Sequence, residues 1–161
     1  MRRRDGHLGR MAEHDTGTSV WPEFVQAWER FLEESSEAGT TVLVEGERDR
    51  DALRRLGVKG PIALVHRGQS LSELSHDLAR HHRRVIVLTD WDLEGGQIAH
   101  RLEKFLANDS AAFDLDFRRR LAILLRGELT HVEGLFGWAR RTAEKAGAPL
   151  DHFVSASDER P

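Results

Sequence analysis

The sequence contains no cysteine and no tyrosine, and only four prolines and three lysines among 161 residues. Without cysteine there is no disulfide, no thiolate metal site and no cysteine nucleophile. Without tyrosine there is no phenolic nucleophile. Long apolar runs are missing as well: nothing approaches the roughly 20 residues a membrane helix needs. The start, Met1-Arg2-Arg3-Arg4, is basic but no apolar segment follows it, so no secretory signal is expected and the expected location is cytoplasmic, with no membrane partner. The formal net charge of -3 excludes coating a polyanion by bulk electrostatics, so any anion binding must concentrate positive charge locally.

What is present suits one domain with a core. Hydrophobic residues make up 39% and charged residues 32%, which implies a heavily ionised surface. Because only Lys59, Lys104 and Lys145 are lysines, 21 of the 24 basic residues are arginine. Arginine suits bidentate phosphate contacts, although genome composition produces the same bias.

Residues 1–20 mix polar types without periodicity and are expected to be disordered. Residues 21–148 are expected to form a single domain, and 149–161 a loose tail. A helix is predicted to start at Pro22, with Phe24, Trp28, Phe31 and Leu32 on one face. Three unbroken apolar runs follow: 41–44, 62–65 and 85–88. Each leads into a stretch with helical periodicity. The alternating segment 113–117 is a candidate fourth strand nearer an edge, followed by an arginine-rich helix from about Arg118 to Arg126. Thr130 and Glu133 have capping-box spacing and predict a last helix reaching about Ala146. The expected fold class is α/β: a doubly wound, mostly parallel sheet of about four strands with flanking helices.

Open parallel sheets bind ligands beyond the C-terminal ends of their strands. Glu45 stands there after the first run, and Asp90 and Asp92 after the third. In an extended Asp90-Trp91-Asp92 segment both carboxylates point the same way. Glu94 lies two residues on, at the mouth of the next helix. Such acids repel one another unless a cation sits between them, and hard oxygen donors without cysteine suit Mg²⁺ or Mn²⁺. Taken alone, Asp90 and Asp92 are better explained as loop and helix-capping residues. The strand-terminal Glu45-Gly46 shifts the balance towards a site.

Val42-Leu43-Val44-Glu45-Gly46 followed by Asp49, then Val85 to Leu88 followed by Thr89-Asp90-Trp91-Asp92-Leu93-Glu94-Gly95, resembles the two signatures of the TOPRIM domain. That domain is shared by bacterial-type primases, type IA and II topoisomerases, ribonuclease M5 and overcoming-lysogenization-defect nucleases. The layout resembles the small stand-alone TOPRIM proteins of archaea most of all. The resemblance spans about residues 41–107 and implies that Glu45 acts in acid–base chemistry or metal binding. It also implies that Asp90 and Asp92, with Glu94, hold Mg²⁺. Glu47 departs from the ribonuclease M5 pattern, which has lysine after the glycine; Arg48 supplies a positive charge beside it. Gly46, Arg48, His66, Arg67 and Gly95 are the candidate substrate-binding residues, and His66 is a candidate proton carrier.

A topoisomerase needs a tyrosine and a primase needs a large polymerase-type domain, so this chain alone is expected to be neither. Haloacid dehalogenase phosphatases and response-regulator receivers carry their acids on the first strand, which leaves Glu45-Gly46 unexplained. Two functions remain: an Mg²⁺-dependent nuclease on structured RNA, or a non-catalytic module that binds nucleic acid or a ribonucleoprotein through the same metal. Other features have plainer readings. Arg118-Arg119-Arg120 reads as a solvated helix face, Asp114 and Asp116 as the outer side of an edge strand, and Trp91 as core packing. His131 and Glu133 read as part of a helix start.

Overall fold

The computed structural model describes residues 16–106, 111–148 and 150–153. Four strands form one parallel sheet in the order β2-β1-β3-β4: β1 (Thr40–Val44), β2 (Ile62–Leu64), β3 (Arg84–Val87) and β4 (Ala112–Asp114). The helices are α1 (Thr16–Ser35), α2 (Glu47–Arg55), α3 (Leu71–His81), α4 (Leu93–Leu106), α5 (Asp116–Leu124) and α6 (Leu135–Lys145). No helix among the described residues is long and apolar enough to cross a membrane.

Strand residues alternate between two cores, as the period of two requires. Val42, Val44, Ile86 and Leu88 face a core built with α1, α2, α5 and α6. Leu43, Val85 and Val87 face a second core built with α3 and α4. This two-sided burial explains why the strands read as unbroken apolar runs. Helices on both faces make the fold doubly wound, and strand order reverses between β1 and β3. Register pairs Thr40 with Arg84 and Leu43 with Val87, so continuing it sets Glu45 level with Thr89, one residue short of Asp90.

The larger core is aromatic. Trp28 stacks with Phe24 at 5.6 Å, Phe31 stacks with Phe117 at 4.2 Å, and Trp138 meets Phe24 edge-on at 4.8 Å. The buried indole of Trp28 donates to the carbonyl of Leu56 at 2.9 Å, so its polar atom carries no desolvation penalty.

Several boundaries differ from expectation. Helix α1 begins at Thr16, within the stretch expected to be disordered, and carries Pro22 in its interior at the cost of one backbone hydrogen bond. Its aromatic stripe against the sheet outweighs that cost. The rest of 1–20 lies outside the described residues. Strand β4 stops at Asp114, and Phe117 belongs to α5, where ring stacking on Phe31 replaces strand pairing. Asp114 is no solvent-face residue: it pairs with Arg84 and caps the N–H of Asp116 at 2.8 Å. Residues 150–152 form a 3₁₀ turn, and Phe153 is buried in the aromatic core rather than loose.

Candidate metal centre

Glu45 and Asp90 leave the ends of adjacent parallel strands at the reversal of strand order, and they meet there. Glu45 Oε1 accepts the backbone N–H of Asp90 at 3.0 Å. Its other oxygen lies 3.9 Å from His66 Nε2, which the loop after β2 brings in. Asp92 caps α4: its Oδ1 accepts the N–H of Gly95 at 2.8 Å. The capping reading of Asp92 is therefore correct, and it does not remove the residue from the cleft. Glu45, Asp90 and Asp92 line one open cleft of about 570 Å³, with Gly46, Arg48, Asp49, His66, His131 and Glu133 also on its walls.

Asp49 is the acid that sequence reasoning quoted but left out of the site. It is buried, with 6% of its surface exposed. From the first turn of α2 its carboxylate reaches back to the N–H of Gly46 at 3.0 Å. It also takes a backbone hydrogen bond from Glu133. Asp90 Oδ1 accepts the N–H of Val132 at 2.8 Å. Both of these latter donors belong to a 3₁₀ turn, Val132–Gly134, that precedes α6. The predicted capping box at Thr130 is absent: the Thr130 hydroxyl bonds His131 Nδ1 at 3.0 Å, and the turn's free N–H groups face Asp90 and Asp49 instead. The segment is fastened to the Asp90 loop by Trp91 N–H to the Thr130 carbonyl at 2.9 Å and by the Trp91 indole to the Leu129 carbonyl. Trp91 thus packs against the aromatic core, as expected, while also tying the third wall of the cleft in place.

Arg118 is the second omission. It is no solvated side chain. From α5 its Nε donates to the Thr89 carbonyl at 3.0 Å and its Nη2 to the Asp90 carbonyl at 2.7 Å. Half-buried, its guanidinium is held below its ordinary pKa by desolvation, against the opposing pull of Asp92, Glu45 and Asp90. It positions the Asp90 loop and offsets part of the cleft's negative charge. Nothing in the string Arg118-Arg119-Arg120 distinguishes the first arginine from Arg119, which lies exposed against Glu103 and Asp116.

The acids are crowded. Burial and then the Asp90 carboxylate push Glu45 up to about 7, against the lowering effect of the Asp90 N–H. Asp92 and Asp49 add to the rise. Asp90 and Asp49 are also raised, burial being the largest cause in each. A bound cation would relieve this repulsion.

The remaining candidates divide. Gly46, Arg48 and His66 are at the cleft; Arg67 is exposed on the loop beyond it and is not among the lining residues. Glu94 is exposed on the first turn of α4 and also lies outside the lining. Gly95 commits its N–H to Asp92, so its place is structural rather than substrate-facing. A Cβ there would stand 1.8 Å from the Asp90 carbonyl oxygen, because α4 enters directly against the Asp90 loop. Gly95→Ala is expected to destabilise the fold by about 2 kcal/mol, lowering the melting temperature by roughly 4–8 °C. Circular dichroism melts check this, and an unchanged midpoint would contradict the close approach.

The donor set fits a hard divalent cation. Asp90 and Asp92 each have one oxygen oriented by a backbone N–H and a second oxygen left for another partner. No group of three or more acidic or imidazole side chains among the described residues is placed to hold a metal ion by itself. Mg²⁺ does not require one, since it keeps several waters and shares its shell with substrate phosphate.

Fold and cleft together define an α/β domain whose acids cluster at the switch point of a parallel sheet. The chain belongs to the Toprim domain family, whose model matches residues 40–120. It is 33% identical over 120 residues to a UPF0292 protein of Methanosarcina acetivorans, covering 74% of this chain and 83% of that one. It is 33% identical over 117 residues to a UPF0292 protein of Pyrococcus furiosus, covering 73% and 87%. A solved structure from Aquifex aeolicus shares the fold with a TM-score of 0.56 at 24% identity, over 68% of this chain and 95% of that one. Family membership places the chain among metal-dependent proteins that act on nucleic acid.

Proposed function

We propose that this protein is an Mg²⁺-dependent nuclease that hydrolyses phosphodiester bonds in structured RNA, Mn²⁺ serving as a substitute. The observation that carries the reading is Glu45. Its carboxyl sits at the meeting point of β1 and β3, with Oε1 fixed by the Asp90 N–H at 3.0 Å and Oε2 3.9 Å from His66. A carboxylate with one oxygen fixed and the other open to the cleft is placed to take a proton from water and pass it on. Asp90 and Asp92 would hold the ion. When bound, Mg²⁺ supplies charge neutralisation at the phosphoryl oxygens.

The chain's own residues supply the rest. Glu45 accepts a proton from attacking water at its Oε2, the oxygen not committed to the Asp90 N–H; as the water oxygen bonds to phosphorus, the P–O bond to the leaving sugar oxygen breaks and that oxygen takes its proton from solvent. His66, with 59% of its side chain exposed, exchanges that proton with solvent. Arg48, on the rim, steadies a phosphate oxygen. Arg118 keeps the Asp90 loop in place through its carbonyls.

The test is a panel of end-labelled RNA and DNA hairpins incubated with Mg²⁺, Mn²⁺ or EDTA. Defined RNA fragments are expected with either metal, none with EDTA, and less cutting of DNA. Hairpins left intact with both metals would favour the second reading, a binding module that uses the same ion without cutting. One observation favours that alternative: no lysine lies near either motif to act as a general acid.

A further inference from the structure

A second cleft, of about 520 Å³, opens beside the acidic one and shares Arg48, His131 and Glu133 with it. Its walls follow from helical spacing. Arg48, Ala52 and Arg55 recur at i, i+4 and i+7 and present one face of α2. Phe136 and Arg140, at i and i+4, present the facing side of α6. The two helices therefore line a trough with arginines on both sides.

The electrostatics differ sharply from the neighbouring cleft. Arg55 lies over the ring of Phe136 with its guanidinium carbon 3.6 Å from the ring centroid, so its planar face is held against an aromatic floor. Arg48 and Arg140 are exposed and make no ion pair among the described residues. Asp51 also lines the trough, but its carboxylate is 3.4 Å from Arg50. Glu133 stands at the junction, on the acidic side. Positive charge is thus concentrated locally on a chain whose net charge is negative, the condition that the composition imposes on any polyanion binder.

We propose that this α2–α6 trough is the track for the nucleic-acid backbone on one side of the reacting phosphate, with Arg48 and Arg140 contacting successive phosphates. The inference rests on the acidic cleft being where a phosphodiester reacts. Arg48 belongs to both clefts, so the two adjoin and a strand that reaches the acids can continue along the arginines. Phosphate contacts of this kind position a strand without reading its sequence.

The test measures binding, not cleavage. A fluorescein-labelled RNA hairpin with a single-stranded 3′ tail is titrated with protein in EDTA at several salt concentrations. Each phosphate contact on single strand contributes about 0.7 to the slope of log K against log salt. The double variant Arg48→Ala/Arg140→Ala should therefore lower the slope by about 1.4 and weaken binding by about 25-fold at 0.1 M salt. Both positions are exposed on helices and alanine favours helix, so folding is retained. Arg80→Ala/Arg101→Ala removes two exposed arginines from helices on the opposite face of the sheet and should leave the slope unchanged. Equal losses from both double variants would mean bulk electrostatics and overturn the track. So would an unchanged slope in Arg48→Ala/Arg140→Ala, or no binding by wild type. Hairpins that stay intact with metal while the slope shifts as expected would sink the nuclease reading and leave the track standing.

Discussion

Replacing Glu45 with glutamine is expected to lower hairpin cleavage by about 10²–10⁴-fold, the range for loss of a general base, while making the metal-free protein more stable at neutral pH. The two effects have opposite signs because one group serves chemistry at the cost of the fold. In the unfolded chain Glu45 titrates near 4.5; in the folded protein it titrates near 7, chiefly from burial and then from the Asp90 charge. Below the unfolded value both states are protonated and the full stability is present. As pH rises from there through about 7, the unfolded state ionises more readily, and stability is lost. Full burial would make that loss about 3 kcal/mol. The Glu45 side chain retains 12% exposure in an open cleft, and solvent screening reduces the loss to about 1–2 kcal/mol. Glutamine keeps an oxygen for the Asp90 N–H, so the hydrogen bond survives and only the titration disappears. Denaturant unfolding in EDTA between pH 4 and 8 should give a falling curve for wild type and a flatter one for Glu45→Gln, with the variant ahead at pH 8. A variant that is less stable than wild type at pH 8 would refute the electrostatic account. Wild-type cleavage by Glu45→Gln would remove Glu45 from the chemistry.

The sheet was legible because its strands are buried on both faces, so 41–44, 62–65 and 85–88 read as short, nearly continuous apolar runs. Glu45 and Asp90 were legible for a related reason. A carboxylate ending such a run has no apolar partner, and parallel pairing fixes both at one end. What stayed hidden depends on contacts far apart in sequence. Arg118 differs from Arg119 only because α5 packs where its side chain can reach the Thr89 and Asp90 carbonyls. Val132 and Glu133 donate backbone N–H groups, and a backbone donor leaves no trace in residue type. The last helix ends near Ala146 as expected but starts at Leu135 rather than near Thr130, because the local capping signal loses to a pull on the turn from the Asp90 and Asp49 carboxylates. Gly95 carries a different lesson. Its position after the DxD suggested approach by substrate, but the backbone that approaches is the protein's own. The start of α1 ahead of Pro22 was hidden because proline's local penalty is visible in sequence and the aromatic contacts that outweigh it are not.

Adding Mg²⁺ at constant ionic strength is expected to raise the melting temperature by several degrees, and the variants should separate a metal centre from a set of helix caps. Glu45, Asp90 and Asp49 are all raised by burial with further repulsion from neighbouring acids, so the metal-free fold carries unrelieved charge at neutral pH. An ion that binds only the folded state stabilises it by about 2.7 kcal/mol at a hundredfold excess over Kd. For a domain of this size that is roughly 5–11 °C. Asp92→Asn keeps an oxygen to accept the Gly95 N–H, so its cap on α4 survives. It loses a charge that bears on both Glu45 and Asp90. This variant should therefore melt at or above wild type in EDTA and lose most of the Mg²⁺ response. Glu94→Gln, at an exposed position outside the cleft lining, should respond to Mg²⁺ as wild type does. Protons compete with the ion for raised carboxyls, so the wild-type response should be smaller at pH 5 than at pH 8. A response equal in wild type and Asp92→Asn would place the ion elsewhere. No shift at millimolar Mg²⁺ would leave Asp92 as a cap alone, and the acids of the cleft without the cation that their crowding requires.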